Sequence, residues 1–266
     1  MTDKGYLFDN ASREAGGRFS GLEWALDPTT FRHLSGRGVA AGWSCLEIGA
    51  GGGSVVRWLS RNVGQAGRVV ATDLNLDWID VGDARNVELR THDVVRDPLP
   101  EAEFDLIHAR LVLVHLPARD EVMTKLVSAL RAGGWLVLEE FTPVLPGVPG
   151  VPEPETDAEV CLNRVLQAVG DLLLDHGADT VNYPRTLVRR LRSHGLTELG
   201  AEGTVIFGPR GVVDVHRANL RQVRDELVAT GRVSADDVDL ALQTLEDPGL
   251  VVTLAMLVSA WGRKRA

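Results

Sequence analysis

Residues 44–54, SCLEIGAGGGS, decide the fold. Leu46 and Ile48 lie in a short apolar run suited to a strand buried on both faces. Gly49, Gly51 and Gly53 follow at alternate positions, where the chain turns tightly and lets a ligand approach its backbone. Residues 54–63 (SVVRWLSRNV) then have helical spacing. Strand, glycine turn and helix in that order form the first unit of a doubly wound α/β sheet. Outward from this unit the alternation continues, with strands expected at 68–73 (RVVATD), 87–91 and 104–108 (FDLIH). A helix is expected over 118–131, ended by Gly133-Gly134, and a fifth strand at 135–141 (WLVLEEF).

The flanks read differently. Asp9, Asn10 and Ser12 offer caps for a helix reaching Leu26, Asp27-Pro28 is expected to break it, and 29–34 to restart it. Residues 142–154 hold five prolines and two glycines and cannot be regular structure. Helices follow at 157–176, 184–194, 212–230 and 235–246, with strands at 196–207 and 250–261. The whole is expected to be one domain over 1–266, with a helical cap (1–35), a core (40–142) and helical insertions (143–183 and 208–248).

The chain has 266 residues, 44% hydrophobic and 24% charged, with a formal net charge of −9. That charge repels a polyanion, so nucleic acid is not expected as a partner. Cys45 and Cys161 have no metal or redox spacing and read as buried thiols in a reducing compartment. The stretch MTDKGYLFDN shows no basic region followed by an apolar core, and residues 250–261 are too short to span a bilayer. A cytoplasmic protein without a membrane segment is expected.

The glycine spacing is G-x-G-x-G, and Ser54 stands where a dinucleotide fingerprint wants glycine or alanine. With Glu47 two residues ahead of the first glycine, the pattern resembles motif I of class I S-adenosylmethionine (SAM) dependent methyltransferases. A carboxylate there suits the cationic aminoacyl end of SAM and would repel a pyrophosphate. FDLIHARLVLVHLP (104–117) resembles motif IV of the superfamily and the turn after it. YLFDNA with RFSGL resembles the N-terminal cap of a bacterial small-molecule subgroup.

The resemblance implies a Rossmann-like seven-stranded sheet with the last strand antiparallel, inserted helices as a substrate lid, and SAM as cofactor with S-adenosylhomocysteine as product. It places Glu47, Gly49, Ala50 and Gly51 in the cofactor turn. Asp73 takes the ribose hydroxyls, followed by Leu74; an alternative reading makes Asp73 the cap of the short segment after it. His92, Asp93 and Val94 reach the adenine, Ala109 and Arg110 the methionine part, and Tyr6 and Arg18 of the cap also touch the cofactor. His115 and Glu140 match positions that face the acceptor in similar enzymes and are the catalytic candidates, while His108 and Glu139 alternate away. No metal is expected.

The Leu, Val and Ala content of the inserted helices suits a small, apolar or aromatic acceptor methylated on O, N or C, as in bacterial natural-product biosynthesis. A second copy of the chain is a candidate partner. Two other classes stay open on the sequence: a SAM-binding protein that does not transfer the methyl group (a cyclase or a regulator), and a dinucleotide oxidoreductase.

Overall fold

The computed structural model describes residues 7–143, 150–208 and 211–266. The chain divides into two compact units. One comprises Asp27–Phe141, Val181–Thr204 and Leu257–Ala266, the other Met1–Leu26, Thr142–Thr180 and Val205–Met256.

The first unit is built on a seven-stranded sheet. Its strands are β1 (Ser44–Ile48), β2 (Arg68–Asp73), β3 (Val87–Thr91), β4 (Phe104–Arg110), β5 (Leu130–Thr142), β6 (Thr197–Thr204) and, after two short strands of the other unit, β9 (Met256–Arg263), in the order β3-β2-β1-β4-β5-β9-β6. β1 pairs in parallel with β2 and β4, β2 with β3, and β4 with β5, while β9 runs antiparallel to β6. Every residue of β1 is buried, and strands flank it on both edges. α2 (Ser54–Val63) turns Val55, Val56, Leu59 and Val63 onto the sheet, where they join Cys45, Val69, Ala71, Leu106 and Val137 in one apolar core. This is the Rossmann-like sheet expected, with the antiparallel last strand.

Several details differ from the sequence expectation. α1 (Ala15–Gly36) continues straight through Pro28. The missing Pro28 amide costs one helical bond, but Leu26, Thr30 and Leu34 are fully buried on either side of it, and tertiary packing outweighs the local break. Gly133-Gly134 does not end α3 (Arg119–Ala129); β5 begins directly at Leu130. The two glycines form a bulge where the β4–β5 register jumps, with Gly133 at φ +80° and Gly134 packed 2.9 Å from the Phe104 carbonyl oxygen at its Cβ position. β4 runs two residues past His108, because Ala109 and Arg110 pair with Leu138 and Glu139.

In the other unit α4 (Asp157–Asp175) and α7 (Ala235–Thr244) each begin with a capping box, Thr156 with Glu159 and Ser234 with Asp237. α6 (Val212–Ala229) crosses the start of α1 closely. The expected strands 196–207 and 250–261 each break, and their distal parts, β7 (Phe207–Gly208) and β8 (Val252–Thr253), pair with one another as a separate two-stranded sheet. Both cysteines are buried and free. Among the described residues, no helix is long and apolar enough to cross a membrane. A Cβ at Gly21 of α1 would lie 2.7 Å from the Gly211 carbonyl oxygen and 2.8 Å from Val215, so Gly21→Ala is expected to destabilise the protein by about 1–3 kcal/mol in urea unfolding.

Candidate functional site

The winding of the sheet reverses between β1 and β4, and an open parallel sheet binds ligands beyond the carboxyl ends of its strands at such a point. Gly49 leaves β1 at φ +71°, where a Cβ would run into the Val112 side chain from the end of β4. The Gly49 and Ala50 amides donate to the Thr72 carbonyl at 2.8 and 3.0 Å, which ties the glycine turn to β2. Asp73 ends β2. Its Oδ2 accepts the Gly51 amide at 2.9 Å and its Oδ1 the Asn75 amide at 3.2 Å. Residues 74–86 form turns, so Asp73 caps no helix. Its two oxygens are oriented by backbone, each with lone-pair capacity for a further donor. Leu74, beside it, is 67% exposed.

At the end of β3 the His92 amide donates to the Asp73 carbonyl at 2.9 Å, and its ring nitrogen lies 3.4 Å from the Pro98 carbonyl. Asp93 Oδ1 accepts the Val95 amide at 2.9 Å, and the Asp93 amide donates to Asp97 at 2.8 Å. Val94 is buried, and Lys125 Nζ gathers the carbonyls of Val94, Val95 and Asp97 at 3.3, 2.7 and 3.1 Å, which fixes this loop.

One face of β1, β4 and β5 carries a buried charged network. His108 Nδ1 lies 2.8 Å from Glu47 and Nε2 3.4 Å from Glu139, and all three side chains are almost fully buried. Glu139 also accepts from Thr30 and, at 2.7 Å, from Ser259. Arg110 donates to Asp27 at 3.0 Å and Thr30 at 2.9 Å, and Ser54 donates to Asp27 at 2.9 Å. Burial opposes charge on His108, but the Glu47 carboxylate and hydrogen bonds to Glu139 and Glu47 outweigh it and hold the imidazolium up to about 9. Burial likewise opposes ionisation of Glu139, yet the bond and charge of His108, with Arg110 and Thr30, bring it down to about 2. Burial raises Glu47, against the pull of His108 and Arg110.

The opposite face holds a different carboxyl. Leu111 follows β4 at φ +58°, an uncommon conformation for leucine, and leads into the single turn Leu113–His115. Glu140 is fully buried beneath this turn, where Oε1 accepts the Val114 amide at 3.2 Å. Burial pushes its carboxyl up to about 8 in spite of the Val114, Leu113 and Val112 amides and the charge of Arg119. His115 is half-buried at the end of the turn.

This geometry has counterparts among known proteins. The family described as "Methyltransferase domain" matches residues 46–138. Residues 46–138 are thus similar to a methyltransferase domain. A "Ubiquinone/menaquinone biosynthesis C-methyltransferase UbiE" of Laribacter hongkongensis is 30% identical over 117 residues, 42% of this chain and 48% of that one. The homologue of the same name from Pseudomonas putida is 32% identical over 113 residues, 40% and 44% of the two chains. The chain therefore spans about half the length of the curated relatives it matches. Among solved structures, phosphoethanolamine N-methyltransferase 2 of Haemonchus contortus, in complex with phosphomonomethylethanolamine and S-adenosylhomocysteine, aligns with a TM-score of 0.60 at 15% identity, over 100% of this chain and 61% of that one. A sarcosine dimethylglycine methyltransferase assigned in Galdieria sulphuraria aligns at 0.54 and 13% identity, over 90% and 84%. At such identities the structures establish the fold.

Within the matched segment, Gly49, Ala50, Gly51, Asp73, Leu74, His92, Asp93 and Val94 line the carboxyl ends of β1 to β3, and Ala109 and Arg110 end β4. The Glu47 carboxylate is engaged by His108, and the Arg110 guanidinium by Asp27 and Thr30. Arg18 belongs to the other unit, where it is buried, donates to Asn10 and to Gln222 at 3.4 Å, and stacks over Phe8 and Phe19. Tyr6 lies outside the described residues. Sequence reasoning missed Asp27, Thr30 and Ser259. Their one visible signal is that His108 and two glutamates on the central strands need polar partners once buried.

Because the folded pKa of His108 lies above its ordinary 6.5, its ionisation contributes stability that is complete below about 6.5 and lost as pH rises through about 9. His108→Gln leaves the carboxylates without their cation and is expected to cost about 3–5 kcal/mol near pH 6.5. Thermal unfolding across pH 6–10 should show the gap to wild type narrowing toward the alkaline end; a constant gap would mean that His108 is neutral.

Proposed function

We propose that the chain is a SAM-dependent methyltransferase that moves the methyl group of SAM to an O, N or C atom of a small, apolar or aromatic acceptor. The observation that carries the reading is Asp73. It is a buried acid at the end of β2 whose two oxygens are oriented by the Gly51 and Asn75 amides and remain able to accept from two neighbouring ligand hydroxyls. The surrounding residues fit SAM as well. Gly49 to Gly51 present backbone to a ligand, and exposed Leu74 gives an apolar surface for adenine. Asp93 and the Val94 amide can meet the edge of the ring, and Ala109 and Arg110 stand at the β4 end for the methionine part. Bound SAM supplies an already activated methyl group on a sulfonium. The residues of this chain then have to align acceptor and donor, exclude water and remove a proton where the acceptor carries one.

His115 is the proposed proton acceptor, half-buried on the turn after β4. The acceptor class is read from this chain, since the names of its relatives point to different acceptors. α4, α6 and α7 are rich in Leu, Val and Ala, and their unit exposes Trp24, Phe207, Val160 and Leu174. The helices of 143–183 and 208–248 are proposed to be insertions within a single domain. A cytoplasmic role in bacterial natural-product metabolism, with a second copy as partner, completes the reading.

Asp73→Ala is expected to cost about 1–3 kcal/mol of SAM binding by calorimetry with little change in unfolding temperature, and an unaltered affinity would remove the ribose assignment. His115→Ala should lower turnover about 100-fold with SAM affinity intact. Wild-type turnover in that variant at every pH would take His115 out of the reaction.

A further inference from the structure

Glu47 is the acid that the glycine pattern offers to the cationic end of a cofactor, but the folded chain spends it on His108. Its two oxygens lie 2.9 and 2.8 Å from His108 Nδ1, and its side chain is 3% exposed. A second acid stands at the same end of the sheet. Asp27 of α1, with its side chain 16% exposed, accepts the Ser54 hydroxyl at 2.9 Å and Arg110 Nη1 at 3.0 Å, both on Oδ1. Ser54 is the first residue of α2, directly after the glycine turn, and Arg110 is the last of β4. The carboxylate is therefore tied to both elements that border the point where the winding reverses.

The atoms that this pair leaves unused define a shape. Arg110 gives only Nη1 to the protein, to Asp27 and at 2.9 Å to Thr30, whose hydroxyl is itself fixed on Glu139. Asp27 Oδ2 and the Nε and Nη2 of Arg110 make no bond among the described residues, and all three remain open to solvent. Nε and Nη2 form the side edge of the guanidinium, whose two parallel N–H bonds match the two oxygens of a carboxylate. Oδ2 is a charged acceptor suited to an ammonium. The bond between Oδ1 and Nη1 holds the two edges side by side, as the ammonium and carboxylate of an α-amino acid are held on one carbon. A phosphate fits less well. It would meet the Asp27 charge at the start of α2, where a dinucleotide places its pyrophosphate.

We infer that Asp27 and Arg110 together read the amino-acid head of SAM, with Asp27 Oδ2 taking the ammonium and Arg110 Nε and Nη2 the carboxylate. Glu47 holds His108 and does not touch the ligand, and Ser54 aims Asp27 as a positioning residue. The inference rests on the methyltransferase reading and assigns one end of its cofactor site.

The test compares S-adenosylhomocysteine with 5′-methylthioadenosine, which keeps the nucleoside and the sulfur but carries a methyl group in place of the amino-acid chain. Binding of each to the full-length protein is measured by calorimetry. Asp27→Asn keeps an Oδ1 acceptor for Ser54 and Arg110 and changes only the open edge, so the unfolding temperature should stay near that of wild type. It is expected to weaken S-adenosylhomocysteine by at least about tenfold while 5′-methylthioadenosine changes by less than about twofold. Ser54→Ala, which releases Asp27 without removing its charge, should weaken S-adenosylhomocysteine alone by about threefold, and it supplies the reading should Asp27→Asn fold poorly. Unchanged S-adenosylhomocysteine affinity in both variants overturns the inference. So does an equal loss of both ligands, which is the mark of a merely structural acid. If wild type binds neither ligand, the methyltransferase reading itself fails; if it binds both and Asp27→Asn does not discriminate between them, only this assignment does.

Discussion

The arrangement of the sheet depends on a cation buried between two carboxylates. His108 meets Glu47 from the adjacent strand and Glu139 from the strand beyond, and Thr30 of α1 and Ser259 of β9 complete the bonding. None of these charges is tolerable alone in an apolar interior, so the network stands only when three strands and a helix are in register together. A slip of one residue between β1 and β4 would set Ile107 or Ala109 opposite Glu47 and leave all three ionisable groups unpaired. The candidate site residues inherit this register. The glycine turn begins two residues after Glu47, Arg110 stands two after His108, and Glu140 directly follows Glu139.

Consecutive glutamates show how far environment sets chemistry. Glu139 faces His108, Arg110 and Thr30 and is held down to about 2, while Glu140, one residue later on the other face, is pushed up to about 8 by burial that a few amides only partly offset. The strand pleat thus separates a permanently ionised structural acid from one that can exchange a proton near neutrality. The first fixes the register of the sheet. The second lies beneath the turn that carries His115.

Much of this was legible beforehand because the central strands and α2 are decided by short-range pattern. Short, mostly apolar runs ending at Gly49 and at Asp73 mark β1 and β2, and the 3.6-residue spacing of Val55, Val56, Leu59 and Val63 marks α2. The errors fell where a local signal met a larger packing force. Pro28 ought to end a helix, but Leu26 and Leu34 are both buried and the helix runs on. Gly133-Gly134 reads as a helix stop, and instead it absorbs a jump in strand pairing. The stretches 196–207 and 250–261 each read as a single strand, yet each breaks, and the short pieces β7 and β8 pair with one another.

The sequence by itself determined the doubly wound sheet, the glycine turn after Glu47 and the acid that ends β2, because each is written within a few consecutive residues whose conformation has few alternatives. Tertiary structure alone decided which ionisable side chains are spent on the fold and which stand apart from it. Glu47 and His108 are 61 residues apart, and Glu139 and Ser259 are 120 apart. Whether a buried acid or hydroxyl finds a partner depends on groups that only the folded chain brings within hydrogen-bonding distance, and no local pattern records them.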